Sequence, residues 1–177
     1  MCVIARAPEI NTGRLTLRGP QEPDIAPVAR LAADYAICSM TTRMPFPYGE
    51  ADARAFVRLT MGQDRQRDNA FVIEHPEEGV VGCIGFHQPE GGSLEMGYWI
   101  GRPFWGRGYA TEAARAALAW SRDHWRRKMV TAGHFADNPA SAQVLIKAGF
   151  LYTGEVQRRF SHARGAIAPT RMMVWLA

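Results

Sequence analysis

The stretch "RPFWGRGYATEAARAALAW", Arg102 to Trp120, leaves the alternating run "SLEMGYWI" through two glycines bracketing an arginine and enters a helix at once. A helix that starts there presents four unpaired backbone N–H groups and about half a unit of positive charge, a ready site for an anion. Gly106 and Gly108 let backbone amides approach phosphate oxygens with no Cβ in the way, and Arg107 can add a charge-assisted contact. A pyrophosphate cradle is one chemistry this spacing supports. A plain tight turn also uses glycines, so the loop alone leaves both readings open. Two better-known phosphate loops do not fit. The pattern GxxxxGK[ST] would take Gly101 and Gly106 but then finds Arg107 and Gly108, without the lysine and the magnesium-binding hydroxyl. The pattern GxGxxG would take Gly106 and Gly108 but finds Thr111 at its third glycine, among strands that read antiparallel.

Titratable side chains near that loop are few. Glu95 is the only charge in "SLEMGYWI" and points opposite to Leu94 and Met96 if the strand is regular. His134, next to last in the run "MVTAGHF" and with an unperturbed pKa near 6.5, is a second candidate base. His75, His87 and His162 lack metal-ligand spacing, and no metal is expected. Cys2, Cys38 and Cys83 are odd in number and widely separated, which predicts reduced thiols and a cytoplasmic chain. The opening "MCVIARAPEI" has no apolar core of signal-peptide length, and no run approaches the ~18 apolar residues of a membrane span. The net charge of +4 is carried mainly by arginine, a mild balance that suits an anionic ligand as well as nucleic acid. With no concentrated basic stripe, direct nucleic-acid binding is not expected, and Arg126-Arg127-Lys128 and Arg158-Arg159 read as solvated faces.

The elements that must position these groups follow from periodicity. At 177 residues, 47% of them hydrophobic, residues 1–177 are expected to form one domain. "GRLTLRG" alternates as a half-buried strand, and helices are predicted from Asp24 to about Ile37 and from about Ala51 to Gln63, the latter burying Ala55, Phe56 and Leu59. Between them, Pro45 and Pro47 pin Phe46 in an extended loop. "NAFVIEH", "GVVGCIGFHQ" and "SLEMGYWI" read as an antiparallel meander, followed by a long helix from Tyr109 to about Trp125. "MVTAGHF" is a strand, "NPASAQVLIKAGF" a capped helix ending at Gly149, and "LYTGEVQRRF" and "TRMMVWL" two last strands. The order is βααβββαβαββ.

The loop resembles the pyrophosphate loop of the GNAT superfamily of N-acetyltransferases, whose pattern of Gln or Arg, two residues, Gly, one residue, Gly or Ala falls on Trp105, Gly108 and Ala110. Trp105 departs from Gln/Arg. "GYWIGRPFWGRGYATEA" is similar to the form found in the RimJ/RimL-like branch, the ribosomal-protein N-terminal acetyltransferases, and "RLTLR", "NPAS" and "KAGF" extend the likeness over nearly the whole chain. It implies an α+β fold: one GNAT-like domain on a mostly antiparallel mixed sheet, splayed in the middle, with about four helices.

The resemblance also implies acetyl-CoA as co-substrate, its pantetheine arm in the splay beside the backbone around Ile100. The amides of Trp105, Gly106, Arg107, Gly108, Tyr109, Ala110 and Thr111 would hold the pyrophosphate, with Arg107 reaching a phosphate. Asn138 matches a position on the pantetheine side and is equally a helix N-cap. Glu95 matches the strand carboxylate that acts as general base, through water; Ser141 matches a hydroxyl that protonates the leaving thiolate; a strand amide near Ile100 would stabilise the oxyanion. Phe46, in a loop over the acceptor pocket, and His134 are the weaker substrate-side candidates. The acceptor is a primary amine attacked directly in a ternary complex. An α-amine, with a pKa of about 7.7–8.0, is substantially neutral near pH 7.5, whereas a lysine amine at about 10.4 is not, so an N-terminal α-amine is the easier nucleophile. A small-molecule amine (polyamine, amino acid or antibiotic) remains open, as does a non-catalytic acyl-CoA-binding module. No membrane partner is expected, and the chain is either a monomer or a homodimer.

Overall fold

In the computed structural model, residues 7–177 are described; the expectations for Cys2 and the N-terminal opening lie outside the described residues. Alternation builds the centre of the sheet. β3 (Asn69–His75), β4 (Gly79–His87) and β5 (Glu95–Ile100) run antiparallel in sequence, as the patterning predicts. β1 (Ile10–Asn11) and β2 (Thr16–Arg18) extend one edge, β1 being a two-residue strand that the patterning did not mark. β6 (Met129–Phe135), β7 (Leu151–Ser161) and β8 (Ala166–Leu176) complete an open eight-stranded sheet in the order β1-β2-β3-β4-β5-β6-β8-β7.

The decisive junction is parallel. β5 and β6 pair only at Glu95 opposite Thr131, whose N–H and hydroxyl both donate to the Leu94 carbonyl, at 2.8 and 3.1 Å. Beyond that pair no ladder joins the two strands, so the sheet splays toward Ile100 and Phe135. Ile100 leads into the glycine loop and α4 (Tyr109–Asp123), and Phe135 into α5 (Pro139–Ala148), so two helix N-termini flank one opening.

α4 and α5 cover one face of the sheet, burying Ala113, Ala114, Ala117, Leu118 and Leu145 against Phe71, Ile84 and Met96. α1 (Ile25–Ala32) and α3 (Glu50–Met61) cover the other, burying Ile25, Val28, Ala53 and Val57 against Val72 and Cys83. Two expectations change here. The helix predicted from Asp24 to Ile37 is interrupted after Ala32; Asp34 turns outward to accept the Ala36 N–H at 2.9 Å and restarts the chain as the single turn α2 (Tyr35–Cys38). In α3 the buried stripe is Ala53, Val57 and Thr60, while Leu59 is 74% exposed. Of the predicted face, Phe56 packs against the margin of this core, while Ala55 and Leu59 lie more than a quarter-turn round the helix from its buried stripe.

Candidate active site

The splay opens into a cavity of about 750 Å³ whose walls include Glu95 to Ile100 of β5, the loop and first turn of α4, Ala132 and Gly133 of β6, the first turn of α5, and Arg159 of β7. Its rim on the helical side is Ile37, Met40, Thr41 and Thr42.

At one end lies the glycine loop. Gly106 and Gly108 have φ of +75° and +79°, left-handed values that glycine adopts without steric cost, and Gly108 is the N-cap of α4. Among the described residues, no protein acceptor takes the amide N–H of any residue from Gly106 to Thr111; the first intrahelical bond is Glu112 N–H to the Gly108 carbonyl, at 3.1 Å. These are the orphan donors of a helix start, gathered on a loop whose glycines leave their surroundings open.

The cationic side chain beside them is Arg14, not Arg107. Arg107 turns to Glu78 (Nη1–Oε1 3.2 Å) and lies over the Phe104 ring. Arg14 donates to the Arg107 carbonyl at 3.1 Å, and its Nη2 would sit 3.6 Å from a Cβ placed on Gly108. Glu112 anchors it, accepting from Arg14 Nε and Nη2 at 2.8 and 2.7 Å and from the Thr12 hydroxyl at 2.6 Å. Burial pushes the Glu112 carboxyl up, but the hydrogen bonds from Thr12 and Arg14 outweigh it and hold the group below the usual carboxylate range. The clamp's contribution is therefore present above that range and is lost as pH falls through the depressed value. Trp105 folds back, its indole N–H donating to the Ile100 carbonyl at 2.7 Å, so that carbonyl is already occupied.

Glu95 faces the cavity, half-buried, with Leu94 and Met96 turned into the core as the alternation predicts. Both its oxygens are held by Arg159: Nη1–Oε1 is 2.5 Å and Nη2–Oε2 2.9 Å. The reading of Arg158-Arg159 as one solvated face is corrected here. Adjacent strand residues point to opposite faces, so Arg158 goes to solvent and Arg159 into the cavity.

Ser141 lies in the first turn of α5, its N–H capped by the Asn138 side chain at 3.1 Å. Its hydroxyl is 2.8 Å from that of Tyr98, which reaches across the splay from β5. Burial, opposed by the bond to Ser141, pushes the Tyr98 phenol up to about 12, so it keeps its proton at working pH. Two expected residues are elsewhere. His134 is buried off the cavity walls, its Nδ1 2.9 Å from the Phe135 carbonyl and its Nε2 3.0 Å from the Tyr152 hydroxyl. Because a carbonyl only accepts, Nδ1 donates to Phe135, and both ring nitrogens are engaged away from the cavity. Phe46 packs edge-on against Tyr35 with ring centres 5.1 Å apart, outside the cavity wall.

Residues 14–151, which include Arg14, Glu112, the cradle and both helices of the splay, match the family described as "Acetyltransferase (GNAT) domain". The chain is a GNAT acetyltransferase. It is 25% identical over 167 residues to the uncharacterized N-acetyltransferase p20 of Bacillus licheniformis, covering 92% of this chain and 93% of that one. Two solved structures share the fold. RimL, a ribosomal L7/L12 α-N-protein acetyltransferase in complex with coenzyme A, superposes with a TM-score of 0.79 at 18% identity, over 96% of this chain and 98% of that one. The spermidine N-acetyltransferase of Vibrio cholerae, in complex with CoA and spermine, does so with 0.76 at 19% identity, over 93% and 96%.

A GNAT acetyltransferase takes its acetyl group from acetyl-CoA, and the residues present fit that donor: free amides and Arg14 for a pyrophosphate, and a cavity of about 750 Å³ running from the glycine loop to Glu95 for the arm. Among the described residues, no group of three His, Cys, Asp or Glu is placed to hold a metal, and no helix is long and apolar enough to cross a membrane.

Proposed function

We propose that residues 1–177 form one cytoplasmic N-acetyltransferase domain that acetylates an α-amine, the N-terminus of a peptide in the first instance, by direct attack in a ternary complex. The observation that carries this reading is the charge state of the cavity wall. Glu95 is bound by Arg159, and Asp137 by Arg164 through two bonds of 2.8 and 3.0 Å, so among the described residues both wall carboxylates are already paired. A polyamine carries further ammonium groups besides the one that reacts, and the wall offers no unpaired carboxylate to hold them. An acceptor with one weakly basic amine needs none, and it needs only a modest base because much of it is neutral near pH 7.5.

Acetyl-CoA supplies the thioester whose acetyl group is transferred. The amides of Gly106, Arg107, Gly108, Tyr109, Ala110 and Thr111, with Arg14, bind its pyrophosphate, and the backbone around Ile100 and the Asn138 end of α5 flank its arm. Glu95 takes the amine proton through water, and a β5 amide near Ile100 stabilises the charge that develops on the carbonyl oxygen. Ser141 gives its proton to the leaving sulfur while accepting one hydrogen bond from Tyr98, which fixes which way the serine proton points.

Loss of Ser141 as Ser141→Ala is expected to lower kcat by about a hundredfold or more, the usual scale for one positioned proton donor. Tyr98→Phe should lower kcat by about tenfold and leave the KM for acetyl-CoA within about a factor of two, because it removes only the hydrogen bond that orients Ser141. Steady-state thiol release measures both; unchanged kcat in either variant removes that residue from the mechanism. The raised Tyr98 pKa also sets a sign. The unfolded chain loses this proton near pH 10 and the native state only near 12, so stability is undiminished below about pH 10 and falls between the two. The acceptor class itself is tested with a peptide of free N-terminus, the same peptide N-blocked, and spermidine: only the first should be acetylated efficiently per neutral amine.

A further inference from the structure

We infer that Arg159 is the residue that reads the acceptor, binding a carbonyl or carboxylate oxygen on the carbon next to the amine-bearing one; this rests on the α-amine reading above. A guanidinium offers five N–H donors. Three are used here: one from each terminal nitrogen to Glu95, and Nε–H to the Gln157 side chain at 2.9 Å. One N–H on each terminal nitrogen is left over, on a side chain that is 23% exposed and lines the cavity beside the carboxylate at the amine.

The group is rigidly held. Gln157 in turn donates to Glu155 at 2.8 Å, so Glu155, Gln157, Arg159 and Glu95 form a ladder along one face of β7 that ends in the cavity. Gly133 of β6 lies beneath the guanidinium, with Nη1 3.7 Å from where a Cβ would stand. With the end-on pair given to Glu95 and Nε–H to Gln157, the two remaining N–H groups lie on opposite edges of the guanidinium plane, and either one, charge-assisted, suits a carbonyl or carboxylate oxygen better than an alkyl chain. An α-amino carbonyl compound puts such an oxygen two bonds from the attacking nitrogen's carbon, so one molecule can meet Glu95 with its amine and Arg159 with its oxygen. A simple alkylamine or polyamine leaves the two N–H groups unsatisfied. Two sources carry this chemistry, a peptide N-terminus and a free α-amino acid.

The test compares kcat/KM of the wild type and Arg159→Lys for alaninamide, alanine and isopropylamine, in which a methyl replaces the carbonyl group. Amine basicity differs among them, but the ratio of the two enzymes' preferences cancels it. The wild type is expected to favour alaninamide or alanine over isopropylamine by about ten- to a hundredfold per neutral amine, the effect of losing a hydrogen bond to a charged group. Arg159→Lys should erase most of that preference, chiefly through KM of the carbonyl acceptors. Preference for alanine identifies a free amino acid and preference for alaninamide a peptide terminus; either order supports the inference. A preference that survives in Arg159→Lys overturns the role of Arg159 alone, whereas spermidine outrunning alaninamide per neutral amine in the wild type overturns the α-amine reading beneath it. Titration with acetyl-CoA checks that the variant is folded. If it is not, Gln157→Leu, which removes only the Nε partner, should lower the same preference severalfold, and no change there overturns the inference.

Discussion

Gly108→Glu is expected to abolish acetyl-CoA binding, with affinity in calorimetric titration falling by about a hundredfold or more. Two effects combine. Gly108 has a φ of +79°, where an L-residue costs about 1–2 kcal/mol. The new carboxylate also stands beside the free amides of the α4 start and within reach of Arg14, whose Nη2 lies 3.6 Å from a Cβ on Gly108, so it fills the cradle from within. Each charge-assisted bond it displaces is worth about 1.5–3 kcal/mol, and two suffice for the hundredfold loss. Gly108→Asn separates the causes, because asparagine tolerates the left-handed conformation and carries no charge. It should keep binding within about tenfold. Wild-type affinity in the glutamate variant would mean that the cradle holds no pyrophosphate.

Glu95→Gln should lower kcat/KM for the amine by about 10²–10³-fold, the range for a lost general base. Acetyl-CoA binding should stay within about a factor of two, because Glu95 lies at the far end of β5 from the glycine loop. The amide cannot take a proton from water and can accept from only one arm of the Arg159 fork, so both the base and its holder are disturbed. A variant that keeps full activity across about pH 6 to 9 would end the assignment of Glu95 as base. Pairing the measurement with the acetyl-CoA titration keeps a folding defect from passing as a catalytic one.

Much of this site was legible in the residues themselves. Alternation placed Glu95 opposite Leu94 and Met96, and paired glycines at the start of a helix pointed to free amides. Both signals are local and survive without tertiary information. What the residues hid lay in contacts across the fold. Arg14 reaches Glu112 and Tyr98 reaches Ser141 over 98 and 43 residues, and neither distance leaves a trace in local patterning. Arg159 is different. Its strand periodicity alone separates it from Arg158, and reading the doublet as a charge cluster obscured a face assignment that was there to be made. The break between α1 and α2 shows the opposite case: Asp34 is both a plausible helix interior residue and a cap, and only packing against the rest of the fold decides. His134 had the right strand and the right end of it, but its place on the buried face gave it to Tyr152 instead of the cleft.

The most direct measurement offers both nitrogens in one molecule. Alanyl-lysinamide carries an α-amine beside a carbonyl and a lysine ε-amine, and fragmentation mass spectrometry after incubation with acetyl-CoA tells which one is acetylated. Acetylation at the α-nitrogen, with no more than trace product at the ε-nitrogen and a sharp loss in Glu95→Gln, is the expected result. Predominant ε-acetylation, after allowance for the ε-amine's roughly 200- to 300-fold lower neutral fraction near pH 7.5, would contradict an active site built around Glu95 and Arg159 for an α-amine.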